Sequence, residues 1–484
     1  MSSRSVCVSE KLARTRIVLT CSAAVLLLAS CGGGSNSSSA DGTQSLAGLP
    51  SQAKVPVEPA TDAVAVWNQR AADTLVNRND AGASAGLQFA PPVAFIHLAI
   101  VQGAVYDAVN AIKGGYEAYL PGLKAPSSAS KGAAAATAAH DVLIALVDQA
   151  PVSATLTADV KAAIKGRLDT EYADTMSQIP AGDARADGVK IGSEAAVAML
   201  ANRAADGRFG AAGFVVPAEP GPGQWRPMPG NDPNAWVRNV KPFTLPQPET
   251  FHTSGPPALT SDQYTAEFNE VKALGRATGS TRTEAQTALA YWSAAHPVPM
   301  LYGAMRQVAS AKGLTITEQA RFHAMTSMTA ADSLINCWAE KQHWGFWRPT
   351  TAIQMANFDN NPLTEADGAW TSLLTLPPYA DEPSGANCAA SGTMNGAKAF
   401  FGSDAAEFDI VSPGIGTVNG QPTGSTRHYS SFTAVIADMI EARIYGGLHF
   451  RRADVNGAAL GKSVADYVDD RFFNCPNPGQ CAKE

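Results

Sequence analysis

The sequence predicts a mostly α-helical protein, a helical bundle with long irregular loops. Two observations carry this. Between Asp62 and Met199, and again from Ser261 through Lys341, apolar residues recur at helical spacing. Period-two runs of β-branched residues bounded by turns are scarce throughout. The length of 484 residues supports at least one large core, and 45% hydrophobic against 16% charged residues fits a globular interior rather than a disordered chain.

The first element is an export signal. Lys11, Arg14 and Arg16 precede an apolar run from Ile17 to Leu28, which ends in Leu28-Ala29-Ser30-Cys31. A basic region, a short apolar core and small residues before a break are what signal peptidases read. The run is too short for a comfortable membrane span. The ending resembles a bacterial lipobox, which makes residues 1–30 a lipoprotein signal and Cys31 the lipidated first residue. Ordinary secretion with an incidental cysteine is the alternative. Residues 31–60 then form a flexible tether, Gly- and Ser-rich at its start, and residues 61–484 the helical domain. The protein is thus expected to be exported, periplasmic or anchored at the outer membrane, touching the membrane only through the lipid.

Charge and cysteines narrow the function. The formal charge of −7 becomes −10 without residues 1–30, which carry Arg4, Lys11, Arg14, Arg16 and Glu10. An acidic body argues against nucleic acid as the main partner, and any anion site must be a local concentration of cations. Cys7 and Cys21 leave with the signal. Cys475 and Cys481 flank Pro-Asn-Pro-Gly-Gln, as in a small disulfide loop. Cys337 and Cys388 are candidates for a second cross-link, with simple burial as the alternative. No cysteine spacing resembles a zinc site.

Within the domain, helical patterning covers Val93–Ile100 and Ala133–Val147, among others. Prolines and glycines interrupt it from Phe214 to Pro257, and further irregular stretches are expected at Phe358–Ser384 and Ser403–Ser425. The last strong helices are expected at about Asn387–Phe401 and Ser430–Tyr445.

Three segments between 338 and 450 combine cations, histidine and glycine turns. In Trp338-Ala339-Glu340-Lys341-Gln342-His343-Trp344-Gly345-Phe346-Trp347-Arg348-Pro349, a helix ending near Arg348 would return Lys341 and Arg348 to nearly one face, with Gly345 between them. A solvated basic stripe is the rival, but the surrounding aromatics point to burial. Pro383-Ser384-Gly385, leading into an Ala-rich helix, offers free backbone N–H groups to an anion. In Arg443-Ile444-Tyr445-Gly446-Gly447-Leu448-His449, Arg443 supplies a forked oxyanion donor and His449 a nucleophile or metal ligand. A lone histidine in such a setting is more often structural.

Taken in order, Lys-x6-Arg-Pro, Pro-Ser-Gly and Arg-x5-His resemble the three-part signature of vanadium-dependent haloperoxidases and PAP2-type acid phosphatases. Tyr106-Asp107-Ala108-Val109-Asn110-Ala111-Ile112 and Arg443–Phe450 resemble the bacterial secreted haloperoxidase branch, and the resemblance spans about residues 60–470. It implies vanadate, or phosphate in a phosphatase, held by Lys341, Arg348, Arg443, Ser384 and the Gly385 N–H. It implies His449 as the vanadium ligand, or as the nucleophile on phosphorus. Trp338 and Tyr379 fall near the halide side. The implied partners are hydrogen peroxide and a halide, or a phosphate ester; the oligomeric state is left open.

One position departs from the signature. Pro-Ser-Gly is normally followed by histidine, the acid/base of the family, and here Ala386 stands in its place. Losing such a group typically costs about 10²–10⁴ in rate. Asn387, His343, Asp381 and His428 are the candidate substitutes. Three functions remain open: a vanadate-dependent haloperoxidase, the leading expectation; a phosphatase with a phospho-His449 intermediate; and an oxyanion-binding protein with weak turnover. His97, His140, His252, His296 and His323 are expected to be structural.

Overall fold

The computed structural model describes residues 62–76, 86–210, 213–227, 230–418, 421–477 and 481. The signal 1–30, Cys31 and the tether 31–60 lie outside the described residues. The described helices are α1 (Ala63–Leu75), α2 (Pro91–Lys113), α3 (Lys131–Gln149), α4 (Ala158–Ser177), α5 (Asp183–Asn202), α6 (Asp262–Leu274), α7 (Glu284–Ser293), α8 (Pro297–Ala311), α9 (Ile316–Trp344), α10 (Pro349–Gln354), α11 (Gly385–Phe401), α12 (Phe432–Tyr445) and α13 (Arg451–Arg471). The mostly helical class is as the sequence predicts.

The bundle is organised around α9. Thr315 starts it with a capping box: its hydroxyl accepts from Glu318 N, and Glu318 Oε2 accepts from Thr315 N. Helices α2, α11 and α13 pack against α9, and α11 packs against α13. Small residues permit the close approach. A Cβ on Gly461 of α13 would stand 2.7 Å from Gly392 N and 2.8 Å from Cys388 O of α11. A Cβ on Gly392 would in turn stand 2.5 Å from Ser333 Oγ of α9. Helix α2 is long and apolar enough to cross a membrane, but its apolar window is wholly buried in this fold.

A polar ladder on α9 fixes the first irregular stretch. Asp332, Asn336 and Glu340 recur every four residues, so they share one face. Asp332 accepts from Phe243 N, Thr244 N and Leu245 N; Asn336 pairs with both backbone groups of Phe251; Glu340 accepts from Thr253 N. Backbone that lacks its own ladder is thereby satisfied inside the protein.

Three expectations need correction. The helix bearing Lys341 ends at Trp344 rather than near Arg348. Gly345 takes the left-handed conformation (φ 49°) that caps it, and Phe346 then pairs with Gln224 in a β-bridge. Lys341 and Arg348 therefore meet across a turn, not along a helical face. Second, the stretch read as irregular after Ser403 holds a hairpin, β1 (Ala405–Ser412) with β4 (Ser425–Ser431), and a short pair, β2 (Thr417–Val418) with β3 (Gln421–Pro422). Third, Cys337 and Cys388 are free buried thiols, while Cys475 and Cys481 form the disulfide. The last two helices, α11 and α12, are as expected, ending at Phe401 and Tyr445 and starting within two residues of the expected bounds.

Candidate functional site

Each cation of the site is placed by a different break in helical structure. Lys341 lies in the last turn of α9, fully buried, and its Nζ donates to the carbonyls of Ala380 (2.8 Å), Asp381 (3.2 Å) and Pro383. An ammonium has three N–H donors, so Lys341 is saturated by the loop that precedes α11. It supplies charge to the site rather than a free hydrogen bond. Burial lowers its pKa to about 8, with Arg348 adding to the shift.

Arg348 is held extended as the N-cap of α10, with Pro349 at the first helical position. Its Nε donates to Tyr379 O at 2.8 Å and its Nη1 to Leu448 O at 2.7 Å. The same Nη1 is 3.0 Å from His449 Nε2, with a longer 3.5 Å approach to Nδ1. Arg348 Nη2 has no hydrogen-bond partner, and neither has Arg443 Nε at the end of α12; both atoms are buried. Arg443 acts electrostatically on Arg348 and on His449.

His449 is enclosed by these cations. Burial, then Arg348, Lys341 and Arg443, hold its pKa well below the usual imidazole value, so the ring is neutral. A guanidinium only donates, so the short contact makes Nε2 the lone-pair nitrogen and leaves the proton on Nδ1. Nδ1 faces Asp381, whose Oδ1 is 2.9 Å away. Despite this approach neither Asp381 carboxyl oxygen makes a hydrogen bond, and burial pushes its pKa well above the carboxylate range against the pull of Arg348.

The helix N-terminus closes the site. Ser384 is the N-cap of α11 but its hydroxyl does not cap it, and the first-turn N–H groups from Gly385 on have no intrahelical acceptor. A Cβ on Gly385 would stand 2.9 Å from the Trp338 ring, so glycine is what lets this turn lie against α9. Asn387 Nδ2 donates to Asp454 Oδ1 at 2.8 Å, and burial pushes the Asp454 carboxyl well above its usual range. With both acids pushed toward their neutral forms, the net field of the site stays positive.

Lys341, Arg348, Ser384, Gly385, Arg443 and His449 are thus brought into one buried region. Trp338 and Tyr379 join it: their rings are 5.0 Å apart, and Tyr379 lies 4.9 Å from both Lys341 Nζ and the Arg348 guanidinium carbon. Of the four substitutes considered for the missing histidine, Asp381 touches His449. Asn387 is buried against Asp454. His343 packs beside Trp344 and His252, and His428 pairs with Asp409 and Glu407 on the exposed hairpin. Sequence reasoning missed Asp454 and Glu382, because buried carboxylates beside an anion site run against the charge pattern being sought.

The residues fit a tetrahedral oxyanion. Two buried guanidinium nitrogens without partners and an uncapped helix N-terminus are donors of the type an oxyanion satisfies, beside an imidazole lone pair.

Comparison with known proteins relates the fold and its C-terminal part. Residues 321–477 match the family described as VCPO second helical-bundle domain. The chain is similar to the crystal structure of a bacterial vanadium-dependent iodoperoxidase, with 20% identity and a TM-score of 0.65, covering 86% of this chain and 98% of that one. It is also similar to a bacterial vanadium-dependent chloroperoxidase. The apo form gives 16% identity, TM-score 0.62 and coverages of 79% and 94%. The holo form gives 17%, 0.61, 78% and 91%. No curated protein matches the chain.

Proposed function

We propose, from the match of residues 321–477 to the VCPO second helical-bundle domain and the shared fold, that the chain is a vanadate-dependent haloperoxidase, oxidising a halide with hydrogen peroxide. The observation that carries the proposal is the pair of buried, partnerless nitrogens, Arg348 Nη2 and Arg443 Nε, around a neutral His449. Arg348, Arg443, Ser384 and the Gly385 N–H would hold the oxygens of vanadate, Lys341 would contribute charge, and His449 Nε2 would ligate the metal. Bound vanadate supplies a Lewis acid that activates peroxide without changing its own oxidation state.

The chain's own residues do the rest. Arg348 Nη1 points at the His449 Nε2 lone pair and would have to give up that contact for Nε2 to ligate the metal. Asp381 lies against the Nδ1 side at 2.9 Å, where a carboxyl can bias the tautomer and the ring plane. Burial of the whole set strengthens each electrostatic contact. Export as a Cys31-anchored lipoprotein is part of the proposal and is supported by the 1–31 sequence alone.

A phosphatase reading is favoured by one feature: a neutral His449 whose Nδ1 faces Asp381 also presents Nε2 for attack on phosphorus. It is weakened by Ala386, which cannot protonate a leaving group. The test is the protein without its signal and Cys31, dialysed with orthovanadate. It is then assayed for peroxide-dependent bromination and iodination and for hydrolysis of an activated aryl phosphate. Halogenation that requires vanadate supports the proposal. Phosphate release inhibited by vanadate, with no halogenation, replaces it by the phosphatase. Vanadate binding without either turnover leaves an oxyanion-binding protein.

A further inference from the structure

The loop between Tyr379 and Ser384 carries a second buried carboxyl that the proposed chemistry does not use. Glu382 is 1% exposed. Its Oε1 meets Asn456 Nδ2 at 2.6 Å and Thr253 Oγ1 at 3.2 Å. The same Thr253 hydroxyl lies 3.0 Å from Glu340 Oε2 and accepts from Trp344 Nε1 at 3.0 Å.

A hydroxyl has one proton to give. Thr253 therefore donates to one of the two carboxylates, and the other contact is satisfied only when that second carboxyl itself carries a proton. Glu340 is the better-supported anion. It receives Thr253 N at 2.7 Å, shares the one Trp344 Nε1–H with Thr253 at 3.1 Å, and has His252 Nδ1 2.8 Å from its other oxygen. Glu382 receives a single amide N–H. Counting donors thus puts the hydroxyl proton on the Glu340 contact and an extra proton on Glu382.

We propose that Glu382 stores a proton for the site and exchanges it with solvent through Thr253, Glu340 and His252. The His252 side chain is 61% exposed while Glu340 is 1% exposed, so the series runs from water to the interior. In the inward step a proton arriving on Glu340 passes to Thr253 Oγ1 as the hydroxyl's own proton passes to Glu382. Rotation of the hydroxyl restores the start, and no bond to a heavy atom changes.

The inference rests on the haloperoxidase reading, because oxidation of a halide by hydrogen peroxide to hypohalous acid and water consumes one proton per turnover. Ala386 cannot supply it. The groups acting on Glu382 are Lys341 and Glu340 on α9, Asn456 on α13 and Thr253 in the 243–253 stretch, with Asp381 beside it in its own loop. Burial raises its pKa to about 7 against Asn456, Lys341 and Thr253, which makes the stored proton exchangeable near neutrality.

The test is an infrared difference spectrum, wild type minus Glu382→Gln, at about pH 6 and about pH 8.5, with rapid mixing into D₂O. It needs no vanadate, so the relay and the haloperoxidase reading fail independently. A protonated-carboxyl band present at the lower pH and lost at the higher is expected. Its deuteration should slow about tenfold or more in Thr253→Val and recover in Thr253→Ser, which a merely structural hydroxyl would not require. Absence of the band at the lower pH overturns the proposal, as does deuteration in Thr253→Val at the wild-type rate.

Discussion

Arg348 Nη1 stands 3.0 Å from His449 Nε2, so burial first and this cation second keep the imidazole neutral. His449 is therefore expected not to titrate in the ordinary imidazole range, about pH 6.5. Its side-chain NMR signal should stay flat over that range, and a midpoint near the ordinary value would refute the enclosure described above.

Replacing Arg348 by Lys removes the forked geometry while keeping the charge. The contact expected with an oxyanion is a charge-assisted hydrogen bond worth about 1.5–3 kcal/mol. Orthovanadate and phosphate should therefore bind roughly 10–150-fold more weakly, measured by equilibrium titration. Arg443→Lys should behave alike.

Asp381 faces the other ring nitrogen at 2.9 Å. Partners of this kind typically carry about 10–100-fold of metal affinity or activity. Asp381→Asn should lose that much vanadate affinity and release the His449 tautomer, visible as a change in its ¹⁵N shifts. An unchanged tautomer would mean that Arg348 alone fixes the ring.

Ala386 is the second residue of α11, where the related signature carries histidine. Ala386→His should raise turnover by about 10²–10⁴ if the proton step limits the rate. Steady-state rates across pH would show this, and equal rates would mean that proton supply already meets demand.

His323 in α9 is fully buried, both ring nitrogens lack partners, and burial lowers its pKa to about 3. The unfolded chain takes up this proton near pH 6.5 while the folded chain refuses it. Stability is thus fully present above about 6.5 and is lost as pH falls toward 3. At pH 5 the loss from this residue is about 2 kcal/mol, 1.5 units at roughly 1.4 kcal/mol each. His323→Leu should remove that part of the acid sensitivity in denaturant unfolding at pH 7 and pH 5.

How much of this was legible in the sequence differs from residue to residue. The cations and His449 stood out because their spacing and glycine turns survive in one dimension. The route by which Lys341 and Arg348 meet did not, since a seven-residue interval fits one helical face as well as two helices joined at a left-handed Gly345. The β1–β4 hairpin was missed because its strands carry charged and hydroxyl residues, such as Glu407, Asp409, Arg427 and His428, rather than β-branched runs. The Asp332–Asn336–Glu340 ladder was readable as polar residues every four positions in an apolar helix, but its partners lie some 85 residues away in irregular chain. Buried acids such as Asp381, Glu382 and Asp454 become meaningful only once their neighbours are known.

The central claim is that Arg348, Arg443, the start of α11 and His449 form one vanadate site. Equilibrium dialysis of the protein against orthovanadate, with vanadium counted per chain, tests it most directly. The account predicts one vanadium per chain, displaced by phosphate and lost in His449→Ala while that variant keeps its unfolding transition. Wild-type protein that retains no vanadium, or His449→Ala that binds it equally well, would contradict the claim.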